Sequence, residues 1–285
     1  MKQGGPVQQV GEILSIGPAG AYIEFSVFAP CVASGFVPGH FVAVAVGGEE
    51  SALVLRRAFA LYGATPADGT VRFVVAEKGV GTRWLCRQTA GRPLDLLGPL
   101  GNPFLLPLTP RPVVLVGGGY GTAPLIPLAE RLTDLGCRVV MVIGAATADR
   151  LFGEREARRV VGEVIVTTDD GSAGLPGWVT DVLPATIARV GARAIYACGP
   201  MAMLQAVGDV ARLHGIPAQV AVEEAMACGI GVCMSCVLPV WGADGRSRFV
   251  RSCIEGPVFA ADRVRWADVG RLPEDLVGAD AMKGH

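Results

Sequence analysis

The chain has 285 residues, 51% of them hydrophobic and 18% charged, with a formal net charge of −1. Such a composition excludes a disordered chain, and the lack of any basic run excludes the electrostatic footprint of a nucleic-acid binder. The length suffices for two hydrophobic cores and a small further module.

Residues 1–103 read as all-β. Alternating runs at 21–28, 41–46 and 71–76 are separated by glycine and proline turns, the pattern of a small barrel or sandwich, with one short helix over 82–88. This half carries Arg56-Arg57-Ala58-Phe59-Ala60-Leu61-Tyr62 on an expected strand and Gly79-Val80-Gly81-Thr82 at the expected helix start. An arginine beside a helix N-terminus can hold a pyrophosphate, and an aromatic side chain can lie near a planar ring. On the residues alone, a surface arginine pair and a core phenylalanine explain the segment at least as well.

Residues 104–220 change pattern. Strands at 112–116, 138–143, 163–167 and 194–197 alternate with helices to about 135 and at 154–161, 180–190 and 201–214, which predicts a parallel sheet covered on both faces. The first strand runs into Gly117-Gly118-Gly119-Tyr120-Gly121-Thr122-Ala123-Pro124-Leu125. Glycines there let a backbone approach a pyrophosphate, and the following helix supplies N–H donors, so Gly118, Gly119, Gly121 and Thr122 are candidate nucleotide contacts. The run is not G-x-G-x-x-G, and a plain tight turn is the alternative. Cys198-Gly199-Pro200 follows the last strand, at the end where open parallel sheets bind ligands; Cys198 either lines a nicotinamide site or is a small buried residue beside a turn. Residues 112–129 are the most apolar stretch, but four glycines and three prolines interrupt it, so it is no spanning helix. With no signal-peptide core at the N-terminus, a cytoplasmic protein is expected.

Residues 221–262 form a cysteine-rich segment, and 263–285 a charged tail with one short helix. Of eight cysteines, four are packed here as Cys228-x4-Cys233-x2-Cys236, then Cys253. This is the plant-type spacing for a two-iron cluster. Four residues between ligands let a loop curl round one face of a cluster, and Gly229 and Gly231 free backbone N–H groups to point at sulfur. Cys253 would return from a hairpin over 237–250. Structural zinc also takes four thiolates but favours C-x2-C pairs, and plain buried thiols are the remaining alternative.

The order of these elements is more specific than any one of them. A barrel with an R-x-F-x element, the linker GPLGNPF, then GGGYGTAPL and ACGPMAML resembles the ferredoxin reductase-like family, whose members bind FAD on the barrel and NAD or NADP on the α/β domain. The C-terminal EEAMACGIGVCMSC and RSCIEGPVF segments narrow the likeness to the electron-transfer subunits of type B dihydroorotate dehydrogenases. The resemblance covers about residues 8–262. It places Arg57, Ala58, Phe59 and Ala60 on the family's R-P-x-S flavin motif, Val74, Val75 and Ala76 on the strand whose backbone meets the flavin, and Gly81-Thr82 on its G-T pair. Cys228, Cys233, Cys236 and Cys253 fall on the four ligands of a [2Fe–2S] cluster. Ala58 replaces the expected proline and Ala60 the expected serine, which bears on flavin reactivity more than on flavin binding.

The resemblance implies a relay. A partner catalytic subunit, two copies of each chain in the hetero-oligomer, oxidises dihydroorotate on FMN; electrons pass through the cluster to FAD and on to NAD, in pyrimidine biosynthesis. No catalytic acid, base or nucleophile is expected, and His40, His214 and His285 show no grouping. Around the cluster, Met234, Val237 and Trp241 either meet the partner or pack on the chain's own barrel. NAD against NADP stays open, with 144–150 the segment placed to meet the ribose and Arg150 the residue that would favour a phosphate. A related NAD(P)H-linked oxidoreductase subunit, of sulfide dehydrogenase, hydrogenase or ferredoxin–NADP oxidoreductase type, and a non-enzymatic redox sensor are the competing readings.

Overall fold

The computed structural model describes residues 5–48, 52–273 and 275–276. The N-terminal part is a closed barrel of β1 (Val7–Ala19), β2 (Tyr22–Phe28), β3 (Phe41–Val44), β4 (Arg57–Thr65), β5 (Thr70–Val75) and β6 (Pro93–Leu100), in the spatial order β1-β2-β5-β4-β3-β6. Buried residues alternate with more exposed ones along parts of β1 and β6, β3 is buried throughout, and the interior is filled by Ile13, Phe25, Leu61, Phe73, Leu94 and Leu96. Phe73 stacks between Phe25 and Phe59, with centroids 5.2 and 5.3 Å away. Burying each such ring is worth about 2–3 kcal/mol.

Two short helices close the barrel. Helix α1 (Pro30–Ser34) begins with proline, whose fixed φ and missing N–H suit a first turn. Helix α2 (Val80–Cys86) starts two residues earlier than the sequence suggests, because the Thr82 hydroxyl accepts from the N–H groups of Lys78 and Gly79 and so caps the turn from inside.

The second layer is a seven-stranded sheet. Strands β7 (Val113–Gly118), β8 (Val139–Ala145), β9 (Glu163–Thr168), β10 (Leu175–Pro176), β11 (Ala194–Cys198) and β12 (Ala218–Ala221) are parallel and ordered β10-β9-β8-β7-β11-β12. Strands β7 and β8 are buried along almost their whole length, as near-continuous valine and isoleucine runs in a central parallel sheet should be. Helices α3 (Leu125–Asp134) and α4 (Glu154–Val160) cover one face through Leu125, Leu128, Leu132 and Ala157; α5 (Val179–Val190) and α6 (Met201–Leu213) cover the other through Leu183, Ile187, Leu204 and Val207.

The cluster segment contains the expected hairpin, β13 (Val237–Trp241) and β14 (Ser247–Arg251). It also contains a strand that the sequence reading did not anticipate: β15 (Val258–Ala260) pairs antiparallel to β12 and forms the sheet's last edge. The four-residue β12 was likewise missed, too short to show a period. In the tail, a 3₁₀ turn, Trp266–Asp268, stands where a short helix was expected; positions 274 and 277–285, His285 among them, lie outside the described residues. Among the described residues no helix is long and apolar enough to cross a membrane.

Candidate functional site

Strand β7 sends its chain to β8 on one side, and β11 lies on the other. The strand order therefore reverses at the C-terminal ends of β7 and β11, where open α/β sheets hold ligands. The glycine turn after β7 and the Cys198-Gly199-Pro200 turn after β11 meet at this point. A Cβ on Gly121 would come within 2.6 Å of the Cys198 carbonyl oxygen, and one on Gly118 within 2.8 Å of Pro200 Cδ. These glycines are thus required by the packing of two turns, whatever binds there.

The crevice opens into a cleft of about 1400 Å³ between the sheet and the barrel. Gly118, Gly119, Gly121, Cys198, Gly199 and Pro200 line its sheet side. Arg57, Ala58, Phe59, Ala60, Val74, Ala76 and Thr82 line its barrel side. Three candidates lie off the surface. Val75 points into the barrel core, one residue out of phase with its neighbours; Gly81 is buried with the Arg57 guanidinium 3.0 Å from where its Cβ would be; Thr122 is fully buried, with no partner for its hydroxyl. Of the arginine pair, Arg56 is committed to the fold through Asp95 at 2.7 Å, whereas Arg57 lies over the start of α2, its Nη1 donating to the carbonyls of Leu55 and Arg56.

The cleft also contains a trio that the sequence reading passed over. Lys78 Nζ donates to the Tyr120 hydroxyl at 2.8 Å, and that hydroxyl donates to Glu223 Oε1 at 2.6 Å. Lys78 is on the barrel, Tyr120 in the glycine turn and Glu223 just past β12. Burial, and next the carboxylate of Glu223, raise the Tyr120 hydroxyl well above the usual phenol range. Burial pushes the Cys198 thiol up to about 12, with Glu223 adding to the effect, so Cys198 is a neutral wall residue at physiological pH. Lys78 and Glu223 are 145 positions apart, so no local pattern announces their pairing.

The cysteine loop wraps as its spacing suggests. The N–H groups of Ile230, Val232 and Cys233 all point at Cys228 Sγ, at 3.5, 3.4 and 3.5 Å. Gly229 and Gly231 adopt φ of +74° and +77°, and a Cβ on Gly229 would meet Leu100 Cδ1 at 2.9 Å. Cys228 and Cys233 are joined through the Cys233 N–H donating to Cys228 Sγ, and Cys236 and Cys253 are buried in one apolar group. Structural zinc favours C-x2-C pairs, whereas here the first two cysteines are four residues apart with glycines between them. The donor set, the loop and the N–H cradle therefore fit a two-iron cluster. Cys236 and Cys253 are buried in one apolar group with Phe41, Ala43 and Leu100 of the barrel, with Ala58 packed against that group, and the linker is tied on by Asn102 Nδ2 donating to the Ile254 carbonyl.

Of the expected contact residues, Met234 is exposed with φ +60°, while Trp241 lies beneath the Arg265 guanidinium of its own chain at 4.1 Å. Ile230, Val232 and Ile254 add exposed apolar surface beside Met234, a patch that appears only once the loop is folded against the residues after Cys253.

Comparison with known proteins gives concordant likenesses. Residues 223–265 match the family described as the iron–sulfur cluster binding domain of dihydroorotate dehydrogenase B. The chain is 32% identical over 254 residues to the dihydroorotate dehydrogenase B (NAD(+)) electron transfer subunit of Desulforamulus reducens, spanning 89% of this chain and 95% of that one. It is 40% identical over 229 residues to the Geobacillus kaustophilus protein of the same name, 80% of this chain and 86% of that one. Among solved structures, a chain of an NADH-dependent reduced ferredoxin–NADP oxidoreductase superimposes with a TM-score of 0.81 at 29% identity, with 96% of each chain covered. A ferredoxin–NADP+ reductase from Neisseria gonorrhoeae, 19% identical with a TM-score of 0.60 over 77% of this chain and 93% of that one, shares the fold.

Proposed function

The chain belongs to the family of dihydroorotate dehydrogenase B electron transfer subunits, and from that premise we propose that it carries electrons from a dihydroorotate-oxidising FMN subunit to NAD, as a cytoplasmic step of pyrimidine biosynthesis. Across the whole reaction dihydroorotate and NAD+ become orotate, NADH and one proton. When bound, the cluster passes single electrons and the flavin converts them to a hydride.

The observation that carries the reading is that Cys236 and Cys253 share one buried apolar group with Met226 and Phe41, both of which also line the cleft. The buried thiols and the cleft thus share side chains of one apolar group. In this reading Cys228, Cys233, Cys236 and Cys253 would hold the two irons. Arg57 meets the flavin pyrophosphate. The Val74–Ala76 backbone and Ala60 face its ring, and Gly81-Thr82 start the helix beside it. Gly118, Gly119 and Gly121 admit the NAD pyrophosphate, Thr122 supports their turn from below, and Cys198, Gly199 and Pro200 form the nicotinamide wall. The exposed patch of Ile230, Val232, Met234 and Ile254 beside the cluster loop is the face for the catalytic subunit, two of each chain forming the complex.

The test is an absorption spectrum of the purified protein with iron and flavin analysis, followed by NADH oxidation with an artificial acceptor. The expected result is about two irons and one FAD per chain, with rapid turnover. A polypeptide that stays colourless after anaerobic reconstitution with iron, sulfide and FAD would sink it.

A further inference from the structure

Ser235 and Met226 belong both to the cysteine segment and to the cleft. Both line the cleft. Ser235 falls between two of the cysteines, and its hydroxyl has three neighbours. It donates to the Ala225 carbonyl at 2.7 Å, accepts from the Ala227 N–H at 3.2 Å, and lies 3.2 Å from Cys233 Sγ. It therefore pins both flanks of Met226 to a cluster thiol. Met226 is itself buried, in one apolar group with Cys236, Cys253, Phe41 and Leu100. One hydroxyl thus touches Cys233, and Met226 shares one buried apolar group with Cys236 and Cys253.

Resting on the relay reading above, we propose that Ser235 and Met226 are positioning residues for electron transfer between cluster and flavin: Ser235 sets the cluster's reduction potential through Cys233, and Met226 keeps water out of the space between the two cofactors.

The chemistry follows from the proton count on Ser235. With Cys233 as a thiol, the S–H can donate to the Ser235 oxygen while the hydroxyl serves the Ala225 carbonyl. A metal-bound thiolate has no hydrogen and can only accept. The single Ser235 hydrogen is then shared between a carbonyl and a sulfur, and the share given to sulfur stabilises the more negative, reduced cluster. Met226 acts in the opposite direction. Water beside Cys236 and Cys253 would solvate the added negative charge, so a dry methionine holds the potential down. Each transfer moves one electron in from the partner side and one out to the cleft side, and no bond in this chain is made or broken.

The test is an EPR-monitored redox titration of the full-length holoprotein and its variants, after iron and flavin analysis of each. Ser235→Ala is expected to move the cluster midpoint to more negative potential with the flavin couple unchanged, and Ser235→Thr, which keeps the hydroxyl, to leave it near the parent value. Met226→Ala is expected to move the cluster midpoint in the positive direction, whereas Met226→Leu, which fills the same space without sulfur, leaves it in place. A cluster midpoint unchanged in Ser235→Ala and Met226→Ala, or shifts of the same sign in both, overturns the proposal while the relay stands. A parent protein with neither cluster signal nor flavin removes the relay itself.

Discussion

The Tyr120 hydroxyl donates to the Glu223 carboxylate over 2.6 Å and accepts from Lys78 on the barrel, so three parts of the chain meet at one oxygen inside the cleft. The bond is charge-assisted but half-exposed, and its net worth is about 1 kcal/mol. Tyr120→Phe should lower the thermal midpoint by about 2–4 °C in scanning calorimetry. Glu223→Gln combined with Tyr120→Phe should cost less than the two single changes together, because both remove the same interaction.

Gly121→Ala should abolish NAD binding while leaving the flavin in place. The added methyl would sit 2.6 Å from a carbonyl oxygen and 2.7 Å from Gly199 Cα, both main-chain atoms that cannot turn aside. Overpacking of this kind costs about 1–3 kcal/mol and here would force the two turns apart. Calorimetric titration with NAD and the flavin-to-protein absorbance ratio separate the two outcomes.

Ala60→Ser should leave flavin content unchanged but alter flavin reactivity. Ala60 is exposed on the cleft side of β4, so a hydroxyl there has room, and in the proposed reading it faces the flavin ring. A donor toward the ring favours its reduced, more negative form, and the flavin midpoint should rise in a spectroelectrochemical titration.

Cys253→Ala should remove the iron and retain the flavin. Cys253 is almost fully buried in one apolar group with Cys236, so no exposed side chain can replace it as a ligand. Iron analysis should fall to near zero while the flavin band persists.

His40 supplies a pH dependence. It is buried, and its Nδ1 accepts from the Val37 N–H at 3.1 Å; burial lowers its pKa to about 4. The folded state therefore holds the neutral ring more strongly than the unfolded chain, whose histidine titrates near 6.5. Its contribution, about 3 kcal/mol, is complete above pH 6.5 and is lost progressively as the pH falls toward 4. His40→Asn keeps an acceptor without the titration, and its thermal midpoint should fall less between pH 7 and pH 4.5 than that of the parent.

The barrel and the sheet were legible because each rests on a local pattern: alternation at 21–28 and 71–76, and near-continuous apolar runs at 112–116 and 138–143. The cysteine loop was legible because ligand spacing is a local property. What escaped depends on distance along the chain. Strand β15 is three residues long and exists only because β12 offers an open edge. Lys78 and Glu223 look like ordinary surface charges until the fold closes the gap between them. Ser235 was visible inside C-x2-C, but its bonds to Ala225 and Ala227 depend on the loop folding back on itself.

Strand β15 decides how the iron-bearing loop is mounted. The loop leaves the sheet after β12 and re-enters it beside the same strand, with the Val222 N–H donating to the Pro257 carbonyl at 2.9 Å to fasten the two ends together. A hanging module could swing like a ferry between donor and acceptor. This one is moored at both ends, so it serves as a fixed pier, and the current it carries is governed by distance and driving force rather than by how often an arm completes its stroke.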